Sequence, residues 1–297
     1  MIPPRFDYHA PASLDEALSL LAQYGDDARV LSGGQSLIPL LKLRLASPRV
    51  LVDINRIAPL ARLEEADGSL VIGALVREAD LETAAAVRAR YPILLDTAGV
   101  IADPLVRNLA TVCGNVAHAD PANDHPATML AVGAEAVVVS RRGTRRIRAA
   151  DLFTGPFTTA LAPDEILAEM RVPTPPALSG GAYVKLERKV GDFAIAAVAA
   201  QVTLGADGTC QRAGIGLTNV GLTPIEARQA ASSLIGRRLD DAAVAEAARL
   251  AADAAEPTAD HRGSVEYRRD LVRVLTARAL RRAAARAGAD GTTAQAA

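Results

Sequence analysis

The chain has 297 residues, 50% of them hydrophobic and 23% charged, which is enough for two or three compact units around a sizeable core. Thirty-three basic residues against 34 acidic ones leave a net charge of −1, and aromatics make up 3% with no tryptophan, so there is neither an electrostatic nor a base-stacking reason to expect a nucleic-acid partner. Two cysteines, Cys113 and Cys210, supply neither a disulfide framework nor the four thiolates of an iron–sulfur cluster, and a reducing compartment is the default.

The opening segment MIPPRFDYHAP has no apolar signal core and no twin arginine, and no apolar run is long enough to span a bilayer. A soluble cytoplasmic protein is expected. Ser13 and Glu16 have capping-box spacing ahead of a helix whose apolar face is Leu14, Ala17, Leu18 and Leu21, and Gly25 ends it. Residues 29–31 read as a short strand, followed by Ser32-Gly33-Gly34-Gln35-Ser36 and a helix from about Leu37 that tolerates Pro39 in its first turn. Residues 50–54 form the next strand, giving a small α/β unit over 1–56.

A second unit, 57–176, contains a strand at 69–75, an alanine-rich helix at 77–90, a helix at 128–132, a strand at 136–140 turning at Arg142-Gly143, and a strand within 164–172. The cluster Pro173-Thr174-Pro175-Pro176 marks a boundary. The third unit, 177–287, has strands at 182–187, 194–204 and 211–220, then helices from about Pro224, at 240–254 and at 265–287. Strands first and helices afterwards predict α+β. Residues 288–297 are small and polar and are expected to be a disordered tail.

Two loops stand out chemically. Gly33 and Gly34 let backbone approach a ligand with no Cβ in the way, the helix after them offers N-terminal amides to an anion, and Ser32 and Ser36 add hydroxyls. An ordinary strand–helix turn explains the same residues equally well. In the second loop, Thr111-Val112-Cys113-Gly114-Asn115, Gly114 permits close approach, Thr111 and Asn115 are short and polar, and Asp124 further on is an acceptor suited to ribose or ribityl hydroxyls. Turn chemistry competes at Asp120-Pro121 and Asn123-Asp124. His118, Asp120, Asp124 and His125 are metal-ligand types in a short span, but Pro121 and Pro126 argue against a helix that would align them, and polar groups of a surface loop are the better account.

Gly214-Ile215-Gly216 lacks the third glycine and the strand-to-helix context of a dinucleotide fingerprint. Arg268, Arg269, Arg273, Arg278, Arg281 and Arg282 read as the solvated face of a packed helix. Four scattered histidines give no hydrolase arrangement.

Taken together, LSGGQSLIPLLKLRLASPRVLVDINRI and LATVCGNVAHADPANDHPA resemble the paired flavin-binding signatures of the medium subunit of molybdenum hydroxylases (the xanthine dehydrogenase family), in particular its carbon monoxide dehydrogenase branch. The likeness runs in order from MIPPRFDYHAP through YVKLERKVGDFAIAAVAA and IGLTNVGLTP to EYRRDLVRVLTARAL, nearly the whole chain. It implies a vanillyl-alcohol-oxidase-type (PCMH-type) FAD domain of two α/β subdomains plus a C-terminal α+β domain. It implies an oxidoreductase subunit that binds FAD and passes electrons from partner iron–sulfur clusters to an external acceptor.

By the resemblance, Ser32, Gly33, Gly34, Gln35, Ser36 and Leu37 serve the FAD pyrophosphate, and Thr111, Val112, Cys113, Gly114 and Asn115 line the diphosphate and flavin side. Asp124 binds cofactor hydroxyls, Ile101 and Leu167 flank the isoalloxazine ring, Lys185 supplies a cation near the flavin, and Phe193 covers the ring. No residue of this chain is expected to act as a catalytic acid or base or to bind metal. Molybdenum cofactor and iron–sulfur clusters belong to a large and a small partner subunit, arranged as a dimer of heterotrimers; a peripheral position at the inner membrane stays open. Two departures stand out. Cys113 replaces a glycine, so its Cβ is expected to crowd the cofactor or shift the backbone, and Phe193 stands where tyrosine is common. A stand-alone flavoprotein oxidase of the same fold, a medium subunit of an aldehyde or N-heterocycle dehydrogenase, and a module that has lost its flavin are the alternatives.

Overall fold

The computed structural model describes residues 2–288, so the predicted tail beyond Gly288 lies outside the described residues. In chain order the first unit comprises β1 (Asp7–His9), α1 (Leu14–Tyr24), β2 (Ala28–Leu31), α2 (Leu37–Lys42) and β3 (Val50–Asp53). Its three strands form a parallel sheet in the order β1-β3-β2, with α2 as the crossover. Ser13 caps α1 by accepting the Glu16 N–H, while the Glu16 carboxylate reaches the N–H of Ala12. Gly25, at φ 50°, ends the helix as expected.

The second unit continues with β4 (Leu63–Ala66), β5 (Ser69–Gly73), α3 (Glu78–Thr83), α4 (Ala85–Arg90), α5 (Pro92–Gly99), α6 (Pro104–Arg107), α7 (Val112–His118), α8 (Asp124–Val132), β6 (Glu135–Ser140), β7 (Gly143–Arg148), α9 (Ala149–Leu152), β8 (Phe153–Gly155), β9 (Thr158–Thr159) and β10 (Ile166–Pro173). Its five-stranded sheet, β4-β5-β10-β6-β7, is antiparallel. The helix expected over 77–90 is two helices. Ala84 adopts an extended backbone, φ −65° and ψ 122°, which breaks the ladder where the sequence has no glycine or proline to announce it.

The third unit holds β11 (Ser179–Glu187), β12 (Ala194–Leu204), β13 (Cys210–Thr218), β14 (Ile225–Glu226), α10 (Arg228–Ser232), α11 (Asp241–Asp253) and α12 (Val265–Ala287). Its antiparallel sheet runs β11-β12-β13-β14. Successive side chains of a strand point to opposite faces, and β12 buries both. Ala196, Val198, Ala200 and Val202 enter one core with α11 and α12, while Ala197 and Ala199 join the core shared by the first two units.

That shared contact is close because β13 presents glycine to α8. A Cβ on Gly214 would overlap the Ala131 carbonyl oxygen, and one on Gly216 would overlap that of Ala127. Positions 214 and 216 lie on one face of the strand, and 127 and 131 are one helical turn apart on α8. The Gly-Ile-Gly sequence is therefore a helix seat. Asp96 on α5 ties the same units together by accepting from Arg282 and Arg286 of α12 and from the Tyr183 N–H. The predicted solvated arginine face is thus only partly solvated. Arg282 takes part in this junction, and Arg268 is buried, donating to the carbonyls of Ile195 and Asn219 and pairing with Asp260.

Gly216→Val should lower stability by about 1–3 kcal/mol, because a side chain is forced against the α8 backbone. The midpoint of chemical unfolding reads this directly.

Candidate functional site

The two glycine-bearing loops meet. A Cβ on Gly33 would overlap the carbonyl oxygen of Leu109 and come to 2.9 Å from Ala110 Cα and 3.0 Å from the Thr111 nitrogen. The glycine is thus required first by a backbone-to-backbone contact between the loops. Around it, Ser32 Oγ donates to Ala74 O at 3.0 Å and lies 3.2 Å from Thr111 Oγ1. Arg77 braces the joint, donating to Leu109 O at 2.5 Å and to Asn55 Oδ1 at 2.6 Å, and Asn55 Nδ2 donates to Ser32 O at 2.9 Å. Gly34, at φ 74°, supplies the left-handed turn.

A cavity of about 560 Å³ opens beside this junction. Fifteen of the sixteen expected site residues line it: Ser32, Gly33, Gly34, Gln35, Ser36, Leu37, Ile101, Thr111, Cys113, Gly114, Asn115, Asp124, Leu167, Lys185 and Phe193. The exception is Val112, whose side chain is fully buried in the core and whose N–H donates to Val76 O at 3.2 Å. Among the described residues, the N–H groups of Gly33, Gly34, Gln35 and Ser36 have no acceptor within the protein, which leaves a row of donors at the cavity wall. α2 is six residues long, so this row of loop amides is the anion-facing feature, more than any helix dipole.

The second stretch is mostly helix. Thr111 is the N-cap of α7, accepting the Gly114 N–H at 3.2 Å, and a Cβ on Gly114 would come 2.5 Å from Thr111 Oγ1. Thr111 and Gly114 are therefore matched to each other. Asn115 Oδ1 is buried with no hydrogen-bond partner, while Asn115 lines the cavity. An orphaned buried acceptor of this kind is uncommon unless a ligand completes it. A row of free amides, an unpaired amide oxygen and apolar walls at Ile101 and Leu167 suit a group that is anionic at one part and flat and apolar at another, as FAD is.

Cys113 does not obstruct this space with its thiol. The residue is 2% exposed, and Sγ turns back to donate to the Ile72 carbonyl of β5 at 3.3 Å. Burial pushes the thiol up to about 12, so it stays protonated and inert.

Asp124 is the first residue of α8, and Pro126 sits in that first turn, where its missing N–H has no intrahelical partner to lose. The carboxylate is buried; Oδ1 accepts from the Tyr183 hydroxyl at 2.6 Å and Oδ2 from Lys185 Nζ at 3.1 Å. Burial raises its pKa, against the opposing pull of Lys185 and the Tyr183 hydrogen bond. Lys185 was expected as a cation available to the flavin. Its ammonium donates to Val100 O at 3.0 Å and to Asp124 Oδ2, and it lies 3.3 Å from Glu187, so two carboxylates stand against its charge. The other metal-ligand types on this segment diverge: Asp120 accepts the Ala122 N–H, and His125 pairs with buried Glu78 at 2.7 Å. Phe193 stands at the lip, 51% exposed, after a turn in which Gly191 packs against the carbonyl of Ala102.

Sequence reasoning missed Arg77, Asn55, Tyr183 and Glu187. The alternation Tyr183, Lys185, Glu187 on one face of β11 was a usable signal for the last two. Arg77 and Asn55 carry no local signal, because they act across the chain.

With this geometry in place, the comparisons decide the family. Residues 4–175 match the family described as FAD binding domain in molybdopterin dehydrogenase, and residues 181–283 match the CO dehydrogenase flavoprotein C-terminal domain. The chain belongs to the molybdopterin dehydrogenase FAD-subunit family. It is 44% identical to the carbon monoxide dehydrogenase medium chain of Afipia carboxidovorans, covering 97% of this chain and 99% of that one. It is 40% identical to the 6-hydroxypseudooxynicotine dehydrogenase complex subunit alpha of Paenarthrobacter nicotinovorans, covering 97% of each. Among solved structures, carbon monoxide dehydrogenase from Hydrogenophaga pseudoflava lacking the Mo-pyranopterin moiety of its molybdenum cofactor superimposes with a TM-score of 0.93 at 44% identity, over 96% of this chain and 99% of that one. As a member of this FAD-subunit family, the chain is an oxidoreductase subunit with a PCMH-type FAD-binding domain and the family's C-terminal domain. No helix among the described residues is long and apolar enough to cross a membrane.

Cys113 and Cys210 are both buried, and burial raises both thiols. Neither should react with an aromatic disulfide reagent at mildly alkaline pH in the native protein, and both should react once denaturant is added; colorimetric thiol titration reads the difference.

Proposed function

We propose that the cavity holds FAD and that the chain is the electron-transfer subunit of a molybdenum hydroxylase of the carbon monoxide dehydrogenase type. The observation that carries this reading is the convergence of the 32–37 and 109–115 segments on one cavity, whose lining residues include free backbone donors and the unpartnered Asn115 amide oxygen. In this reading 1–56 and 57–176 are the two FAD subdomains and 177–287 the C-terminal domain.

When bound, FAD supplies two-electron and one-electron redox chemistry that no side chain here can perform. The residues of this chain bind, orient and shield it. The amides of Gly33, Gly34, Gln35 and Ser36 donate to the pyrophosphate, with Ser32 and Leu37 at the edges of that loop. Thr111 and Gly114 fix the start of α7, so that Asn115 faces the cofactor, and Cys113 fills the core behind them. Asp124 accepts from cofactor hydroxyls, Ile101 and Leu167 hold the ring between apolar surfaces, and Phe193 limits solvent at the lip. No side chain of this set acts as an acid or base on an organic substrate.

Substrate oxidation belongs, in this reading, to a large molybdopterin-binding partner, and a small iron–sulfur partner passes electrons to this chain, the three forming a heterotrimer that pairs into a dimer. The complex is placed in the cytoplasm. Carbon monoxide is favoured as the substrate by the 44% identity to a carbon monoxide dehydrogenase medium chain. An N-heterocycle or aldehyde dehydrogenase is the second reading, favoured by the 40% identity to the 6-hydroxypseudooxynicotine dehydrogenase subunit and by 37% identity to a glyceraldehyde dehydrogenase medium chain, respectively.

The purified chain mixed with FAD should acquire a protein-bound flavin absorption spectrum at one FAD per chain, and a folded chain that stays colourless overturns the proposal. Gly33→Val should abolish flavin retention, because valine forces the loop off the Leu109–Thr111 backbone; retention at wild-type affinity would show that the pyrophosphate lies elsewhere.

A further inference from the structure

Two side chains on one face of β11 reach Asp124, and a third on that face, Glu187, stands beside the second. Tyr183 reaches Asp124 Oδ1 at 2.6 Å, Lys185 reaches Oδ2 at 3.1 Å, and Glu187 lies 3.3 Å from the same ammonium. Asp124 and Lys185 line the cavity, and Tyr183 is buried behind them, with its hydroxyl also 3.2 Å from Thr218 Oγ1. Counted as charges, Asp124 and Glu187 against Lys185 leave one net negative charge beside the cavity, with the Asp124 and Lys185 side chains buried and that of Glu187 partly exposed. Such a charge persists only where neutral donors stabilise it. The Tyr183 hydroxyl is the neutral side-chain donor on Asp124.

We propose that Tyr183 is a positioning residue of the redox site: its hydroxyl keeps the Asp124 carboxylate aimed and charged, so that the Asp124–Lys185–Glu187 group presents net negative charge to the bound flavin and holds its reduction potential down. This inference rests on the reading of the cavity as an FAD site. Reduction adds negative charge in the cavity, and a like charge nearby opposes it. Loss of the Asp124 charge should therefore make reduction easier. The groups that act on Asp124 are Tyr183, Lys185 and Glu187 from β11 and His125 from α8, itself paired with Glu78 of α3; β13 contributes the Thr218 hydroxyl and the segment after α5 the Val100 carbonyl, while His118 of α7 lines the same cavity. Tyr183 is itself pushed well above the usual tyrosine range by burial and by Asp124, so it remains a neutral donor.

The test is a potentiometric titration of the full chain carrying FAD, from mildly acidic to alkaline pH. Tyr183→Phe removes the donor, so Asp124 takes up a proton more readily, and the midpoint potential should rise. The rise should peak between the pH at which Asp124 ionises in the wild type and the higher pH at which it ionises in Tyr183→Phe, and fade on either side. Asp124→Asn should raise the potential with a weaker pH dependence, and adding Tyr183→Phe to it should raise it no further. Thr218→Val, which alters the other neighbour of the tyrosine but leaves the donor to Asp124 in place, should keep the wild-type potential.

A Tyr183→Phe protein with the wild-type potential at every pH overturns the proposal, as does a Tyr183→Phe shift of equal size in the Asp124→Asn background. If Tyr183→Phe does not fold, as read by thermal melting, Asp124→Asn carries the test, and an unchanged or lowered potential overturns it. A wild-type chain that takes up no FAD would refute the cofactor reading instead, and flavin stoichiometry measured first separates the two failures.

Discussion

The site depends on one steric condition: backbone must touch backbone where Gly33 meets residues 109–111. A side chain at position 33 would occupy the space of the Leu109 carbonyl. Two segments almost eighty residues apart in sequence, the one after a parallel strand and the one opening α7, can then share a wall. The Ser32–Thr111 hydroxyl contact and the Arg77 fork across Leu109 and Asn55 hold the joint once it is made. The cavity, the row of free amides and the orphaned Asn115 oxygen all lie along this seam.

A second condition sets the far wall. Helix α8 carries Asp124 and rests on the glycine face of β13, while β11 in the same sheet carries Tyr183, Lys185 and Glu187. The acid and its partners are thus held by two elements of different units that pack together, with Asp96 fastening α5 to β11 and α12. The C-terminal unit acts as the floor against which the cofactor-facing residues of the second unit are set. The charge balance of that floor is not what a lone lysine suggests, because one compensating carboxylate, Glu187, lies two residues along the same strand and the other, Asp124, comes from α8.

Regular elements with clear periodicity were legible: β12 and α12 fall at their expected bounds, and the cap at Ser13 and the stop at Gly25 act as read. The break at Ala84 was hidden, because alanine is a good helix former and only tertiary packing imposes the extended backbone there. Helices α6 and α7 and the first turn of α8 were not read as helix, although Asp103 before Pro104, Thr111 before Gly114 and Asn123 ahead of Pro126 are start signals; proline in a first turn was taken for a breaker when it is tolerated there. The expected cofactor residues line one cavity save Val112, since a two-residue glycine motif does not tell which neighbouring side chain turns inward. Partners such as Arg77 and Asn55 were invisible for a simpler reason: a brace between distant segments leaves no periodic mark in either.

The alternation along β11 has a consequence for how this protein can change over generations. Tyr183, Lys185 and Glu187 share one face of the strand, the first two reaching Asp124, because each is two residues from the next, and the pairing of Tyr183 with Ala199 and Lys185 with Ala197 fixes that phase. A single inserted or deleted residue ahead of Tyr183 that was taken up within the strand would turn Val184 and Leu186 toward Asp124 and leave a buried acid facing hydrocarbon. A change of length is not open to this strand, unless the turn at 174–178 absorbs it before β11 begins. The short proline-containing connection before β11 is thus the place where related chains can vary in length without disturbing the polar row.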